Sequence, residues 1–246
     1  MTVPFIQFID VKKSFGSLHV LKGLNLSIYK GQIIAVIGKS GTGKSVLLKH
    51  IIGLVEQDSG QILINGESTQ QLSVDARRSF HKELSYMFQD NALFDSMSIY
   101  DNVALPLVEN VRFPKTHIKE KVITRIQQLG LIDTLEKFPA QLSGGMRKRV
   151  ALARALVTDP KIVLFDEPTT GLDPVRKNKV HSMIKEYQEQ FGFTAVIVTH
   201  DIPEIFNLAQ RVAMLDDGII KFEGSKKDIL DSHSKILNAF IRGEDV

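Results

Sequence analysis

The sequence contains no cysteine among its 246 residues. That excludes disulfides and thiolate metal sites, and it fits a reducing compartment without proving one. Long apolar runs are missing too, since nothing approaches the roughly 20 residues that a membrane span needs. The opening Met1-Thr2-Val3-Pro4-Phe5 has no basic region followed by an apolar core, so no signal peptide is expected. These absences predict a soluble chain whose role at a membrane, if it has one, comes through a partner. Charge is nearly balanced: 31 Lys and Arg stand against 28 Asp and Glu, a net +3. Nucleic-acid binding usually shows as a clustered basic footprint, so no nucleic-acid partner is expected. Repeats and low-complexity segments are also absent.

What remains is ordinary globular material, 43% hydrophobic and 24% charged, long enough for one large domain or two small ones. Three short apolar runs stand out: Ile33-Ile34-Ala35-Val36-Ile37, Ile162-Val163-Leu164-Phe165 and Ala195-Val196-Ile197-Val198. None alternates with polar residues, so each reads as a strand buried on both faces, as in a parallel sheet. Each run stops at a polar cluster: Gly38 onward, Asp166-Glu167, and Thr199-His200-Asp201. Ligands in open α/β sheets bind at the carboxyl ends of strands, so three such ends suggest one shared site.

Helical stripes lie between the runs. Lys44 to Gly53 follows the first glycine cluster, and Ile118, Val122, Ile126 and Leu129 stop at Gly130. Met146 to Val157 closes at Asp159-Pro160, and Val180, Met183, Ile184 and Tyr187 precede Phe191-Gly192. These read as core faces without a function of their own. Phe5 to Val11 and Leu24 to Ile28 partly alternate, and Gln61-Ile62-Leu63-Ile64 runs into Asn65-Gly66, a hairpin signal. The organisation read from this is a single domain over 1–246. Its core is 1–88 and 158–246, a mostly parallel α/β sheet with an antiparallel β layer. Residues 89–157 form an inserted helical subdomain.

Residues 38–45 read Gly-Lys-Ser-Gly-Thr-Gly-Lys-Ser. Gly38, four residues, then Gly43-Lys44-Ser45 is the P-loop pattern, here between a strand and a helix. Glycines let consecutive N–H groups turn inward around a phosphate chain, and the helix adds its positive end. The phosphate-facing set is Gly38, Lys39, Ser40, Gly41, Thr42, Gly43, Lys44, Ser45 and Val46. Lys44 is expected to reach the β- and γ-phosphates of ATP and Ser45 to ligate Mg²⁺. Asp166 is placed to hold Mg²⁺ directly or through its water. Glu167 is placed to orient or deprotonate the attacking water. Leu142-Ser143-Gly144-Gly145-Met146 then opens a second helix N-terminus, with Ser143 as N-cap and Gly144 and Gly145 leaving the backbone bare.

Two such cradles in one chain, with the motifs in this order, resemble the ABC (ATP-binding cassette) ATPase family over nearly the whole length. The family signature is Leu-Ser-Gly-Gly-Gln, and here Met146 holds the last place. The resemblance implies a P-loop NTPase fold and further roles. Phe15 corresponds to the aromatic stacked on adenine, and Gln89 to the Q-loop glutamine that touches Mg²⁺ or water and senses a partner. Asp173, in Gly171-Leu172-Asp173, corresponds to the D-loop that contacts the opposite subunit, and His200 to the switch histidine on the γ-phosphate. It also implies a head-to-tail dimer, with ATP held between the loop of one copy and Ser143-Gly144-Gly145 of the other.

Within the family the chain is most similar to the ATPases of Mla or Mce-type phospholipid transporters. Met146, the stretch from Asn91 to Leu107, and the ending Ala239-Phe240-Ile241-Arg242-Gly243-Glu244 carry that similarity. It implies an ATP-hydrolysing subunit on the cytoplasmic face of the inner membrane. Its partners would be an integral permease, an Mce-type substrate-binding protein and a small regulatory subunit. Another solute transporter, or a soluble cassette such as an iron–sulfur assembly factor, fits the same motifs. A DNA-repair or chromosome ATPase needs long additional domains. Phe94, Ile99, Tyr100 and Val103 read either as a groove for a permease helix or as core. The tail residues Ile229, Leu230, Ile236, Leu237, Phe240 and Ile241 form one or two amphipathic helices, packed on the chain or offered to a partner.

Overall fold

The computed structural model describes residues 3–88, 92–109, 113–232, 234–242 and 244. Gln89 lies outside the described residues, as do Asn91 and Gly243 and the side chains of Leu230 and Ile236. The chain opens with the hairpin β1 (Ile6–Phe15) and β2 (Leu18–Ile28), and then β3 (Ile33–Ile37) runs through the glycine loop into α1 (Lys44–Ile51). Strands β4 (Ser59–Ile64) and β5 (Glu67–Ser68) form a second hairpin, followed by α2 (Val74–Lys82) and β6 (Leu84–Met87). Among the described residues the next stretch is helical: α3 (Ile99–Glu109), α4 (Lys115–Gln128), two 3-10 turns and α5 (Gly144–Leu156). The chain closes with β7 (Ile162–Asp166), α6 (Pro174–Phe191), β8 (Thr194–Thr199), β9 (Arg211–Asp216), β10 (Ile219–Gly224), α7 (Lys226–Leu230) and α8 (Lys235–Arg242).

Two sheets result. One is antiparallel with order β2-β1-β4-β5; the other has order β10-β9-β3-β8-β7-β6. In the second sheet β3, β6, β7, β8 and β9 run parallel, and only β10 turns back along the edge. The absence of alternation in the three apolar runs has a direct cause. Ile33, Ala35 and Ile37 of β3 enter one core cluster, while Ile34 and Val36 enter the other. Phe165 and Val163 of β7 oppose Ile162 and Leu164 in the same way, and β8 divides Ala195 and Ile197 from Val196 and Val198. Both faces are covered, so both must be apolar.

Helix ends follow the expected chemistry. Gly130 takes φ 65 and donates to the Gln127 carbonyl while Leu131 donates to Ile126, closing α4. Gly192 ends α6 at φ 71. The Asn65-Gly66 turn has both residues left-handed, at φ 51 and 88, as a two-residue hairpin requires. Asp217 and Gly218, at φ 46 and 74, do the same between β9 and β10. The β9–β10 hairpin is absent from the sequence reading although its Asp-Gly pair carries the same signal. In the tail, Ile229, Leu237 and Phe240 are buried in the larger core cluster.

Candidate active site

Strands β3, β8 and β7 are adjacent, so their carboxyl ends bring Gly38, His200 and Asp166-Glu167 to one edge. The glycine loop is built tightly. Gly41 and Gly43 sit at φ 81 and 101, open to glycine at little strain. At Gly38 a Cβ would lie 2.3 Å from the Leu215 carbonyl oxygen, and at Gly43 one would lie 2.9 Å from Val20 Cγ1. The loop is thus wedged between β9 and the first hairpin. Thr42 Oγ1 donates to the Lys39 carbonyl at 2.9 Å. Ser40 and Gly41 are exposed, and Val46 packs partly against the smaller core cluster.

Lys44 is only 6% exposed and donates to the carbonyls of Gly38 at 2.8 Å and Lys39 at 3.0 Å. Burial pushes its pKa below the usual lysine value, and the Glu167 carboxylate at 3.7 Å partly opposes the shift. Ser45 Oγ donates to Asp166 Oδ1 at 3.0 Å. Tyr86 Oη donates to Asp166 Oδ2 at 2.6 Å. Burial, and then the Asp166 carboxylate, push the Tyr86 phenol well above its ordinary value.

Glu167 is largely shielded, its side chain 13% exposed. Its Oε2 meets His200 Nδ1 at 2.9 Å and accepts from Thr170 Oγ1 at 3.2 Å. The Glu167 backbone has φ 50, a left-handed value. Such a conformation costs a non-glycine residue on the order of 1–3 kcal/mol and persists only where its surroundings hold it. Here Glu167 N donates to the Val198 carbonyl at 3.0 Å. Beside it, Asp201 accepts from Thr169 Oγ1 at 2.6 Å and from Lys177 Nζ at 2.5 Å. Burial raises the Asp201 carboxyl's pKa, but these two donors outweigh it and hold the group below its usual value.

The second cradle stands apart. Ser143 Oγ caps α5 by accepting from Met146 N at 3.3 Å. Ser143, Gly144 and Gly145 are exposed, and a Cβ at Gly145 would meet nothing within 4 Å. Among the described residues no hydrogen bond or ion pair joins them to the cluster around Glu167. Phe15 is 48% exposed, with the Lys13 ammonium 5.4 Å from its ring centre. Asp173 caps α6, accepting from Arg176 N at 2.9 Å. The proposed groove divides. Ile99 and Val103 are fully buried core, Tyr100 is half-buried, and Phe94 is 48% exposed. Core packing therefore corrects the groove reading for Ile99 and Val103.

Tyr86, Thr169, Thr170 and Lys177 receive no role from the sequence, and Asp201 enters there only within the polar cluster that ends the third apolar run. The apolar run Leu84-Ser85-Tyr86-Met87 is the signal that β6 offered. The others become visible only when β7, β8 and α6 are brought together.

The ABC transporter family matches residues 21–170. A curated relative in Mycobacterium leprae, "Probable ribonucleotide transport ATP-binding protein mkl", is 39% identical over 99% of this chain and 71% of its own. "Intermembrane phospholipid transport system ATP-binding protein MlaF" is 36% identical in Haemophilus influenzae, over 93% of this chain and 87% of its own. In Escherichia coli K12 the protein of that name is 34% identical over 95% and 87%. Among solved structures, "Dimeric Structure of MJ0796, a Bacterial ABC Transporter Cassette" superposes with a TM-score of 0.77 at 30% identity, covering 90% of this chain and 98% of that one. A second structure of that cassette, in a post-hydrolysis state with ADP and Pi, gives 0.76 at 30% identity over the same shares.

Proposed function

The chain belongs to the ABC transporter family of ATP-binding cassettes, and from that membership we propose how its residues work and what they power. It is the ATP-binding, ATP-hydrolysing subunit of an ABC transporter. Residues 38–46 cradle the phosphates and Phe15 stacks on the adenine. Lys44 supplies its ammonium to the β- and γ-phosphates, leaving the loop carbonyls it now holds. Glu167 orients or deprotonates the attacking water, and His200, bonded to it through Nδ1, uses Nε2 on the γ-phosphate. The hydroxyl of Ser45 and the carboxylate of Asp166 are hard oxygen donors side by side, a set that suits Mg²⁺, which takes few protein ligands. Gln89 would join that set, as its resemblance to the Q-loop glutamine implies. When bound, the ion would draw charge from the phosphate oxygens.

The observation that carries the mechanism is the convergence of Lys44, Ser45, Asp166, Glu167 and His200 at one sheet edge, with Ser143-Gly144-Gly145 outside it. We read that exposed cradle as the half-site donated to a second copy, with Asp173 beside the same interface. Residues 89–157 act as the helical subdomain, and Phe94 and Tyr100 meet the coupling segment of an integral permease. No helix among the described residues is long and apolar enough to cross a membrane. From the family membership we place the chain on the permease at the cytoplasmic face.

The cargo we propose is phospholipid, moved through a bacterial envelope with an Mce-type substrate-binding protein and a small regulatory subunit. The phospholipid-transport names of relatives 34–36% identical over most of the chain support this. A ribonucleotide cargo is the second reading, favoured by the name of the 39% identical relative. Tagging the chain in its native cell, extracting membranes gently and identifying what co-purifies tests both. An Mce-bearing permease with bound phospholipid supports the first, and a nucleotide-binding permease replaces the cargo. Recovery only with soluble partners would overturn the transporter reading.

A further inference from the structure

We infer that Lys148, on the helix opened by Ser143-Gly144-Gly145, is a positioning residue for Glu167. The inference rests on the reading of Glu167 as the group that handles the attacking water. Glu167 is held at φ 50, a conformation that needs restraint from its neighbours. The next carbonyl along the chain, that of Pro168, is where one restraint acts. Lys148 Nζ donates to it at 2.7 Å, and the bond is buried. Lys148 itself is 7% exposed. A methionine of similar length would fill that space without desolvating a charge. The ammonium adds a strong, directional bond to the Pro168 carbonyl.

The neighbouring residue is gripped from the other side. Thr169 is fully buried, and its hydroxyl donates to Asp201, which Lys177 of α6 also holds. Residues 168 and 169 are therefore clasped between α5 and α6, directly after Glu167. Lys148 lies about one helical turn from Gly145. The outward-facing end of α5 is thus tied, through the Lys148 side chain, to the backbone that aims the carboxylate. A shift of α5 reaches Glu167 through the Pro168 carbonyl.

The test compares Lys148→Met, Lys148→Arg, Glu167→Gln and the double variant Lys148→Met with Glu167→Gln in steady-state ATP hydrolysis, with ATP affinity measured by equilibrium binding. Expected are a kcat about tenfold lower in Lys148→Met with KM and affinity within about twofold, and at least half of kcat restored in Lys148→Arg. In the double variant the loss at Lys148 should vanish, because the group it positions is gone. A Lys148→Met protein with wild-type kcat, one that raises KM alone, or full multiplicative losses in the double variant would overturn the inference. Should Lys148→Met melt too early to assay, Lys148→Gln decides, since its shorter arm must also lower kcat, and wild-type kcat there overturns it. Wild-type turnover in Glu167→Gln would instead remove the reading of Glu167 on which the inference rests.

Discussion

The two cradles both set glycine and serine at the start of a helix, and their surroundings are opposite. The first, at the start of α1, is enclosed: a Cβ at Gly38 would strike the Leu215 carbonyl at 2.3 Å, and Lys44 and Ser45 bond to groups of this chain. The second, at the start of α5, is open: Gly145 has nothing within 4 Å of a virtual Cβ, and among the described residues Ser143 bonds within its own helix start. Bare backbone inside a packed loop answers a steric demand of the fold. At the exposed end of α5 a Cβ on Gly145 would meet nothing among the described residues, and we assign that bare backbone to a nucleotide held by a second copy. The contrast between Gly38 and Gly145 separates a glycine that the packing requires from one that it does not.

The largest expected effect lies at the enclosed cradle's chemistry. Glu167→Gln should lower ATP turnover by at least about 100-fold, the scale of a lost general base, while ATP affinity changes less than about threefold; steady-state assay and equilibrium binding measure the two. Next comes the open cradle. Gly145→Asp places an acid in the first turn of α5, which suits the helix dipole, so the melting temperature should hold or rise slightly. Turnover should nonetheless fall at least about tenfold, because a carboxylate would face phosphate. An equal loss of stability and activity would erase the distinction between the cradles.

Gly38→Ala sharpens it from the other side. Overpacking against a fixed carbonyl costs about 1–3 kcal/mol, and at about 2–4 °C per kcal/mol for a chain of this size the melting temperature should drop by several degrees. The smallest effect concerns Tyr86. Its phenol ionises in the unfolded chain near the ordinary tyrosine value but higher in the fold. Its contribution to stability is therefore complete below the unfolded value and is lost as pH rises through the folded one. In Tyr86→Phe the decline of melting temperature above about pH 10 should be shallower than in the parent.

What the sequence disclosed follows the same division. The glycine loop and the Asp166-Glu167 pair are local patterns, each fixed by a strand end and the turn after it, so they were legible. The three buried strands were legible because covering both faces leaves apolar residues at every position. Tyr86 was not, because its bond to Asp166 exists only once β6 pairs with β7 across 80 residues of chain. The same holds for Lys177 and Asp201, joined across 24 residues, and for Lys148 at Pro168, across 20. Phe94 and Val103 look alike in sequence, yet one is exposed and the other buried. Only the packing of α3 separates them. The β9–β10 hairpin carries its signal in Asp217-Gly218, but β10 lies on the sheet edge and is only partly buried, so it lacks the apolar run that marks the central strands.

The most direct test is the mass of the Glu167→Gln protein in solution with and without ATP, alongside Glu167→Gln with Gly145→Asp. With ATP, the first should move from the 27.5 kDa chain to a species of twice that mass, and the second should bind ATP and stay single. A single 27.5 kDa chain that hydrolyses ATP at full rate, indifferent to Gly145→Asp, would contradict the account.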